Sequence, residues 1–390
     1  MNIVLFDDST RESLLPLTFT RPVASLRVGI LTIAEKWEKY LKAEASFLTA
    51  DYLAEKFPFK VSDHNIFING SICPNVELLD AIDALADGEA LVQKDVLIAL
   101  KGVDKDGFSS KANIKEKEFT GSFTRIVYPE NIFSFNDAEI RQDFKLLTEG
   151  RTTAILSNTN TILGDNIFVE EGVSAECAIF NTTTGPIYLG KNSSVLEGSV
   201  IRGSFALGEN ALVKLATKIY GKTTVGPHCK VGGEINNAVL YANANKGHDG
   251  FLGNAVLGEW CNIGADSNNS NLKNNYAEVK LWDYNKSRFR KTGLQFCGLI
   301  MADHSKCGIN TMFNTGTVVG VSANVFGAGF PRNFIPDFSW GGAQGYEVYA
   351  LNKVFETAER VFERRDSTFD ATEKNILENV FELTKQYRNF

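Results

Sequence analysis

The sequence predicts an α/β domain followed by a parallel β-helix built of hexapeptide repeats, with helices at the C-terminal end. Three observations predict it. Aliphatic residues recur every six positions through the middle of the chain: Leu189, Val195, Ile201, Leu207, Val213, Ile219, Val225 and Val231. The first third alternates short apolar runs with a helical pattern. The last segment holds two amphipathic stretches. The expected domains are 1–150, 151–335 and 336–390.

The hexads carry the strongest signal. Eight aliphatic residues in one phase arise by chance less than about once in a thousand such windows. Each hexad is one short strand and a turn, and three hexads close a triangular coil. The aliphatic residue points inward and stacks on the next coil about 4.8 Å away. The residue two before it is mostly small (Ser193, Ser199, Ala211, Thr217, Thr223, Cys229), as a tight corner requires. Leu163, Val169 and Ala175 share the spacing ahead of NTTTGP, Leu257 and Ile263 resume it, and Ile309, Thr315 and Val321 end it. The repeats therefore span 160–330, broken by loops near 241–252 and 269–293. A β-sandwich would alternate with period two, which this stretch does not.

At the N-terminal side, NIVLF (2–6), NIFING (65–70) and ALVQKDVLIAL (90–100) read as strands, and ILTIAEKWEKYLKA (30–43) as a helix. This alternation predicts a partly parallel sheet. AEIRQDFKLLTEGR (138–151) reads as a linking helix. Beyond 330, VYALNKVFETAERVFERR and ATEKNILENVFELTKQYR read as helices, the second with Asp370 and Glu373 as a cap and box. Such helices are expected to cover the open final coil, whose unpaired edge is otherwise an aggregation hazard.

Composition excludes several classes. The net charge of −7 argues against a nucleic-acid partner. No run reaches the roughly 18 apolar residues of a membrane span. The start, MNIVLFDDSTRESLL, lacks the pattern of a signal peptide. Six scattered cysteines without a CxxC pair fit a reducing cytosol, so a cytoplasmic protein is expected.

The loop YANANKGHDGFLG (241–253) concentrates chemistry. Its glycines let a ligand approach the backbone. Lys246 suits a phosphate, and the imidazole of His248 suits a general base. His304, in MADHSKCG, is the rival base. Lys273, Arg288, Arg290 and Lys291 form a basic cluster that suits coenzyme A phosphates or a sugar phosphate, although such clusters are often only solvated. Cys229, Cys261, Cys297 and Cys307 read as small core fillers.

The stretch NKGHDGFLGNAVLGEWCNIGADSNNSN (245–271) resembles the acetyl-transfer segment of the bifunctional N-acetylglucosamine-1-phosphate uridyltransferase/glucosamine-1-phosphate acetyltransferase family. His248, Phe251, Leu252, Gly253, Asn262, Ile263, Gly264, Ala265 and Asn271 stand at the family's places. Residues 271–320 resemble the related archaeal-type sugar-1-phosphate nucleotidylyltransferase/acetyltransferases. The likeness covers nearly the whole chain and is close to the branch found in Bacteroidetes. It implies a left-handed β-helix, a homotrimer, acetyl-CoA as co-substrate and a sugar-phosphate acceptor. It assigns catalysis to His248 with Asn262. Lys246, Phe251, Asn271, Lys273, Arg288, Arg290, Lys291 and His304 are the substrate-binding candidates. Phe251 replaces a frequent Tyr and Asp266 a Gly.

The N-terminal residues LFDDSTRESLLPLTFTRPVASL (5–26) resemble the loop with which sugar nucleotidyltransferases cradle a nucleoside triphosphate. Thr10, Arg11, Pro16, Leu17, Thr18, Arg21 and Pro22 match. Asp7 and Ser9 stand near lost glycines, and Val23 replaces a Lys. Ser71 in NIFINGSICPN stands where that family has the Asp that holds Mg²⁺. If this domain is active, Arg11 and Arg21 meet the phosphates, Asp7 and Asp8 are a relocated metal site, and Mg²⁺ is required.

Three functions follow. The first is an amino-sugar-phosphate acetyltransferase, bifunctional with nucleotidylyl transfer in nucleotide-sugar biosynthesis. The second is a sugar-1-phosphate uridylyl- or thymidylyltransferase with a structural β-helix. The third is a non-catalytic trimeric scaffold.

Overall fold

The computed structural model describes residues 2–60, 62–110 and 114–390. The chain forms two compact units. One comprises the residues up to Arg27 with Leu31–Tyr128, the other Val28–Ile30 with Pro129–Phe390. The units part at Tyr128.

The first unit is built on a mixed six-stranded sheet in the order β2-β1-β3-β5-β4-β6. Strand β1 (Asn2–Phe6) lies parallel to β2 (Ala45–Leu48) and β3 (Asn65–Asn69). The stretch read as one strand at 90–100 is a hairpin, β4 (Glu89–Gln93) and β5 (Val96–Val103), turned at Lys94 with φ of 54°. Strand β6 (Lys115–Glu118) adds to β4 in parallel. Val4, Phe6, Phe67, Ala90, Val92 and Leu100 form one core cluster of this unit. Helix α1 (Thr10–Ser13) follows β1 directly. Helix α2 (Ile33–Leu41) starts at a capping box between Thr32 and Glu35 and buries Trp37, whose indole N–H donates to the Ile72 carbonyl at 2.8 Å. Helices α3 (Val76–Asp83) and α4 (Lys105–Ser110) complete the unit.

The second unit is a parallel β-helix with three faces. A regular coil takes eighteen residues, so Val195 lies beside Val213 and Val213 beside Val231. All eight aliphatic positions of the sequence pattern are no more than 2 % exposed and belong to one continuous core that fills the bore. The phase fails at two places. Leu163 is 45 % exposed and out of phase; Ile162, itself 41 % exposed on this first coil, is the residue in register with the inward Phe180. Ile309 is 70 % exposed, and the inward series there runs Met301, Cys307, Phe313, Val319, Val325. Cys229, Cys261 and Cys307 lie in the bore, and Cys297 is buried, as expected of fillers.

One corner of the coil forms a column of left-handed residues. Asn192, Asn210, His228, Asn243, Trp260, His304, Ser322 and Phe338 all have φ between 54° and 63°. Each backbone N–H donates to the carbonyl just before the corner residue of the coil below, as from His304 to Glu259 at 2.9 Å. Asn tolerates this backbone well, whereas Trp, His and Phe there are strained. The aromatic members are the ones that receive the C-terminal segment.

Helix α5 (Pro129–Thr148) begins nine residues before the linking helix read from sequence. It lies along the β-helix, with the Asn136 amide donating to the Lys222 carbonyl at 2.9 Å and Arg141 to the Thr184 carbonyl at 2.6 Å. Helix α6 (Leu351–Glu363) and helix α7 (Ala371–Leu383) were expected to close the final coil. They reach Phe338 on the last coil and run back along the corner column. Phe381 packs edge-on against Phe338, Phe362 stacks on Trp260 at 3.9 Å, and Arg365 donates to the His228 carbonyl at 2.7 Å. The Asp370 side chain caps α7 through the Glu373 N–H. Among the described residues, no helix is long and apolar enough to cross a membrane.

Candidate functional site

Beside this corner the sequence builds a column of polar side chains. Lys230, Asn245, Asn262 and Lys306 follow one another in register on successive coils of one face. Their strand neighbours Val231, Ile263 and Cys307 belong to the bore, so alternation turns the column outward. The Asn245 side-chain amide donates to the side-chain Oδ1 of Asn262 at 2.7 Å.

Lys246 occupies the bore position between Val231 and Ile263. Only 1 % of it is exposed. Its ammonium donates to the carbonyl oxygens of His248 and Asp249, the latter at 3.2 Å. Burial pushes its pKa down to about 8, against the opposing pull of Asp249. Lys246 was expected beside a sugar phosphate. It faces inward instead and pins the loop that carries His248. Gly232 and Gly233 lie directly beneath this loop. A Cβ at Gly232 would meet the Gly247 carbonyl at 2.8 Å, and one at Gly233 the His248 carbonyl at 2.9 Å.

His248 itself is exposed. With Asn262 it lines a cavity of about 450 Å³, together with Lys214, Lys230, Lys306, Arg364 and Arg365. Among the described residues, none that lines this cavity is acidic, and none of those five cations has a carboxylate partner. Burial lowers the Lys230 pKa first, and the charges of Arg365, Arg364 and Lys214 lower it further. Burial brings Lys306 down to about 8 while its ammonium donates to the His304 carbonyl at 2.9 Å. Like charges held together in a concave site favour an anionic ligand. A base beside such charge can take a proton from a nucleophile whose phosphate the cations hold.

The remaining sequence candidates lie elsewhere. His304 is 8 % exposed and stacked with Trp260 at 6.5 Å and Phe362 at 6.0 Å, so this rival base is a docking residue for α6. Phe251 and Asn271 do not line the cavity; the Phe251 N–H donates to Asn268 and the Asn271 amide to Asn254. The basic cluster is on and around the hairpin Lys280–Asp283/Arg288–Lys291. Arg290 is engaged bidentately by Glu130 at 2.5 Å, Lys291 lies 3.6 Å from Glu278, and Lys273 donates to the Glu278 carbonyl. Arg288 is exposed on the same hairpin. The structure does not bring these four residues to the cavity. Sequence reading missed Lys214, Lys230, Asn245, Lys306, Arg364 and Arg365. The six-residue phase points toward the lysines, but coil lengths that depart from eighteen hide the column.

In the first unit, Asp7 and Asp8 follow β1 and do not form an open pair. Asp7 accepts from the Val23 N–H at 2.8 Å, the Thr49 hydroxyl at 2.5 Å and Arg11 at 3.3 Å. Burial raises its pKa despite those donors. Asp8 accepts from the Thr10 N–H and hydroxyl at 2.9 and 2.5 Å, and from Asn69 and Arg125 at 2.8 Å each. Burial works to raise Asp8, but the bonds from Thr10 and Asn69 with the Arg125 charge outweigh it and hold its carboxyl below the ordinary value. Arg11 also donates to Tyr52 and to the Arg21 carbonyl, and Arg21 is buried. The residues present do not fit Mg²⁺, because both carboxylates are already surrounded by donors.

Residues 3–152 match the sequence model of a family described as sugar nucleotidyl transferase. No curated protein matches the chain. Solved structures share weak likeness. A UDP-N-acetylglucosamine acyltransferase from Arabidopsis is 14 % identical over 60 % of this chain and 94 % of its own, with a TM-score of 0.26. A mutant of the N-acyltransferase AntD from Bacillus cereus, in complex with dTDP and coenzyme A, is 15 % identical over 52 % of this chain and 91 % of its own, with a TM-score of 0.24. A UDP-N-acetylglucosamine acyltransferase from Campylobacter jejuni is 12 % identical over 60 % of this chain and 83 % of its own, with a TM-score of 0.21.

Proposed function

We propose that the chain is an acyltransferase that moves an acetyl group from acetyl-CoA to the amine of a sugar phosphate, glucosamine-1-phosphate or a close relative. The observation that carries this reading is the cavity in which His248 and Asn262 meet five cations without a carboxylate partner. In this reading the β-helix winds left-handedly, the chain works as a cytoplasmic homotrimer, and the cations hold the phosphates of acceptor or coenzyme A. The acceptor amine attacks the thioester carbonyl as His248 takes its proton. The C–N bond forms and a tetrahedral oxyanion develops, which a backbone N–H of the glycine-rich loop stabilises. Collapse breaks the C–S bond, and the coenzyme A thiolate leaves and is protonated. Asn262 orients the acceptor, and no acyl-enzyme is formed.

The test is thiol release from acetyl-CoA with a panel of amino-sugar phosphates, run beside His248→Ala. Turnover in the wild type that drops by about 10²–10⁴-fold in the folded variant is the expected outcome. An unchanged rate in the variant removes His248 from the mechanism. The match over residues 3–152 favours one other reading, sugar-1-phosphate nucleotidylyl transfer in the first unit with Mg²⁺. Its test is pyrophosphate release from UTP or dTTP. The side chains that follow β1 weigh against it.

A further inference from the structure

We propose that the N-terminal unit is closed to nucleoside triphosphates because its own side chains already occupy the place: Asp7 and Asp8 stand in for phosphate oxygens, and the Arg125 guanidinium stands in for a divalent cation.

The location is the crevice where a parallel sheet binds ligands. Strands β1, β2 and β3 run in parallel, and ligands of such sheets lie beyond the carboxyl ends. Beyond those ends here come Asp7 and Asp8, Thr49, and Ser71. A phosphate cradle works through backbone N–H groups that have no other acceptor. In this chain the Thr10 N–H is taken by Asp8 and the Val23 N–H by Asp7. An incoming phosphate would have to displace these carboxylates while still facing their charge.

The cation side is equally filled. A carboxylate offers about four acceptor sites. Asp8 uses one oxygen for the Thr10 N–H and hydroxyl and the other for Asn69 and Arg125. Arg125 also donates to the Ser71 hydroxyl at 3.2 Å, and that hydroxyl donates to Asn69 at 2.7 Å. The loops after β1 and β3 are thus joined by a guanidinium. Mg²⁺ needs oxygens free in octahedral array and a neighbourhood without a fixed cation.

Amide hydrogen exchange on the full-length protein, read over residues 7–25 and 69–73, tests this. In the wild type neither MgUTP nor MgdTTP should protect these segments, and no pyrophosphate should be released. Asp8→Ala removes the internal anion and should gain protection there on adding inorganic phosphate, with none from chloride at equal ionic strength. Asp8→Asn, which keeps the shape and loses the charge, should gain a smaller protection and covers the case in which the alanine variant fails to fold. Wild-type protection by either nucleotide, pyrophosphate release that Arg125→Met abolishes, or folded Asp8 variants indifferent to phosphate would each overturn the proposal. The readout is confined to the first unit, so its failure is separable from any failure of acyl transfer in the β-helix.

Discussion

Two groups of charges in this molecule look alike in sequence and differ in structure. Around β1, Arg11 and Arg125 meet Asp7 and Asp8 at 3.3 and 2.8 Å, and the charges cancel locally. On the β-helix, Lys214, Lys230, Lys306, Arg364 and Arg365 surround one cavity, and Lys230 is depressed by burial and by its cationic neighbours. The difference is one of compensation: the cations around β1 are paired with carboxylates and, among the described residues, those around the cavity are not. The hairpin cluster is paired as well: Arg290 is spent on Glu130 and Lys291 on Glu278.

The largest expected effect comes from separating α6 from the corner column. Phe362 stacks on Trp260 and carries Arg364 and Arg365 in the residues that follow. Phe362→Ala should cost about 3–5 kcal/mol in a denaturant titration, since a buried aromatic leaves a cavity. It should also loosen the binding of coenzyme A in calorimetry. Full stability would show that the stack does not hold the helix.

A smaller effect follows from single cations of the cavity. Lys230→Met should weaken coenzyme A binding about tenfold, the equivalent of roughly 1.4 kcal/mol for one lost charged contact. Arg125→Met in the first unit should leave that affinity unchanged. Equal losses in both would erase the contrast between the two regions.

The smallest effect is a slope with pH. Lys246 and Lys306 have folded pKa values near 8 against an ordinary 10.5. Between those values the unfolded chain binds more protons, so stability rises with pH from about 8 to 10.5. Lys306→Met should therefore be more stable than the wild type at pH 7, with the advantage shrinking by about pH 10. Anion affinity should fall over the same range as Lys306 loses its charge. A stability profile that falls from pH 8 upward would contradict the burial of charged ammonium groups.

The regular coils were legible because each takes eighteen residues, and the inward residue from Leu189 to Val231 never leaves its phase. The cavity was not. From Lys230 to Asn245 the coil shortens to fifteen residues, and Asn262 and Lys306 are separated by the segment carrying the hairpin 280–291. A count by sixes loses the column there, and for the same reason it points Ile309 inward. His248 and Asn262 were readable from their motif, whereas Arg364 and Arg365 read only as the charged end of a helix. The cradle was half legible. Asp8 sits beside Thr10 in sequence, but Arg125, 117 residues away, is brought to it only by the folded sheet.

The most direct measurement is calorimetric binding of coenzyme A to the wild type, to Lys230→Met/Arg364→Met and to Arg11→Met/Arg125→Met. Binding should be about a hundredfold weaker in the first double variant, two tenfold steps, and unchanged in the second. The reverse pattern, with the loss confined to the Arg11 and Arg125 variant, would contradict that expectation.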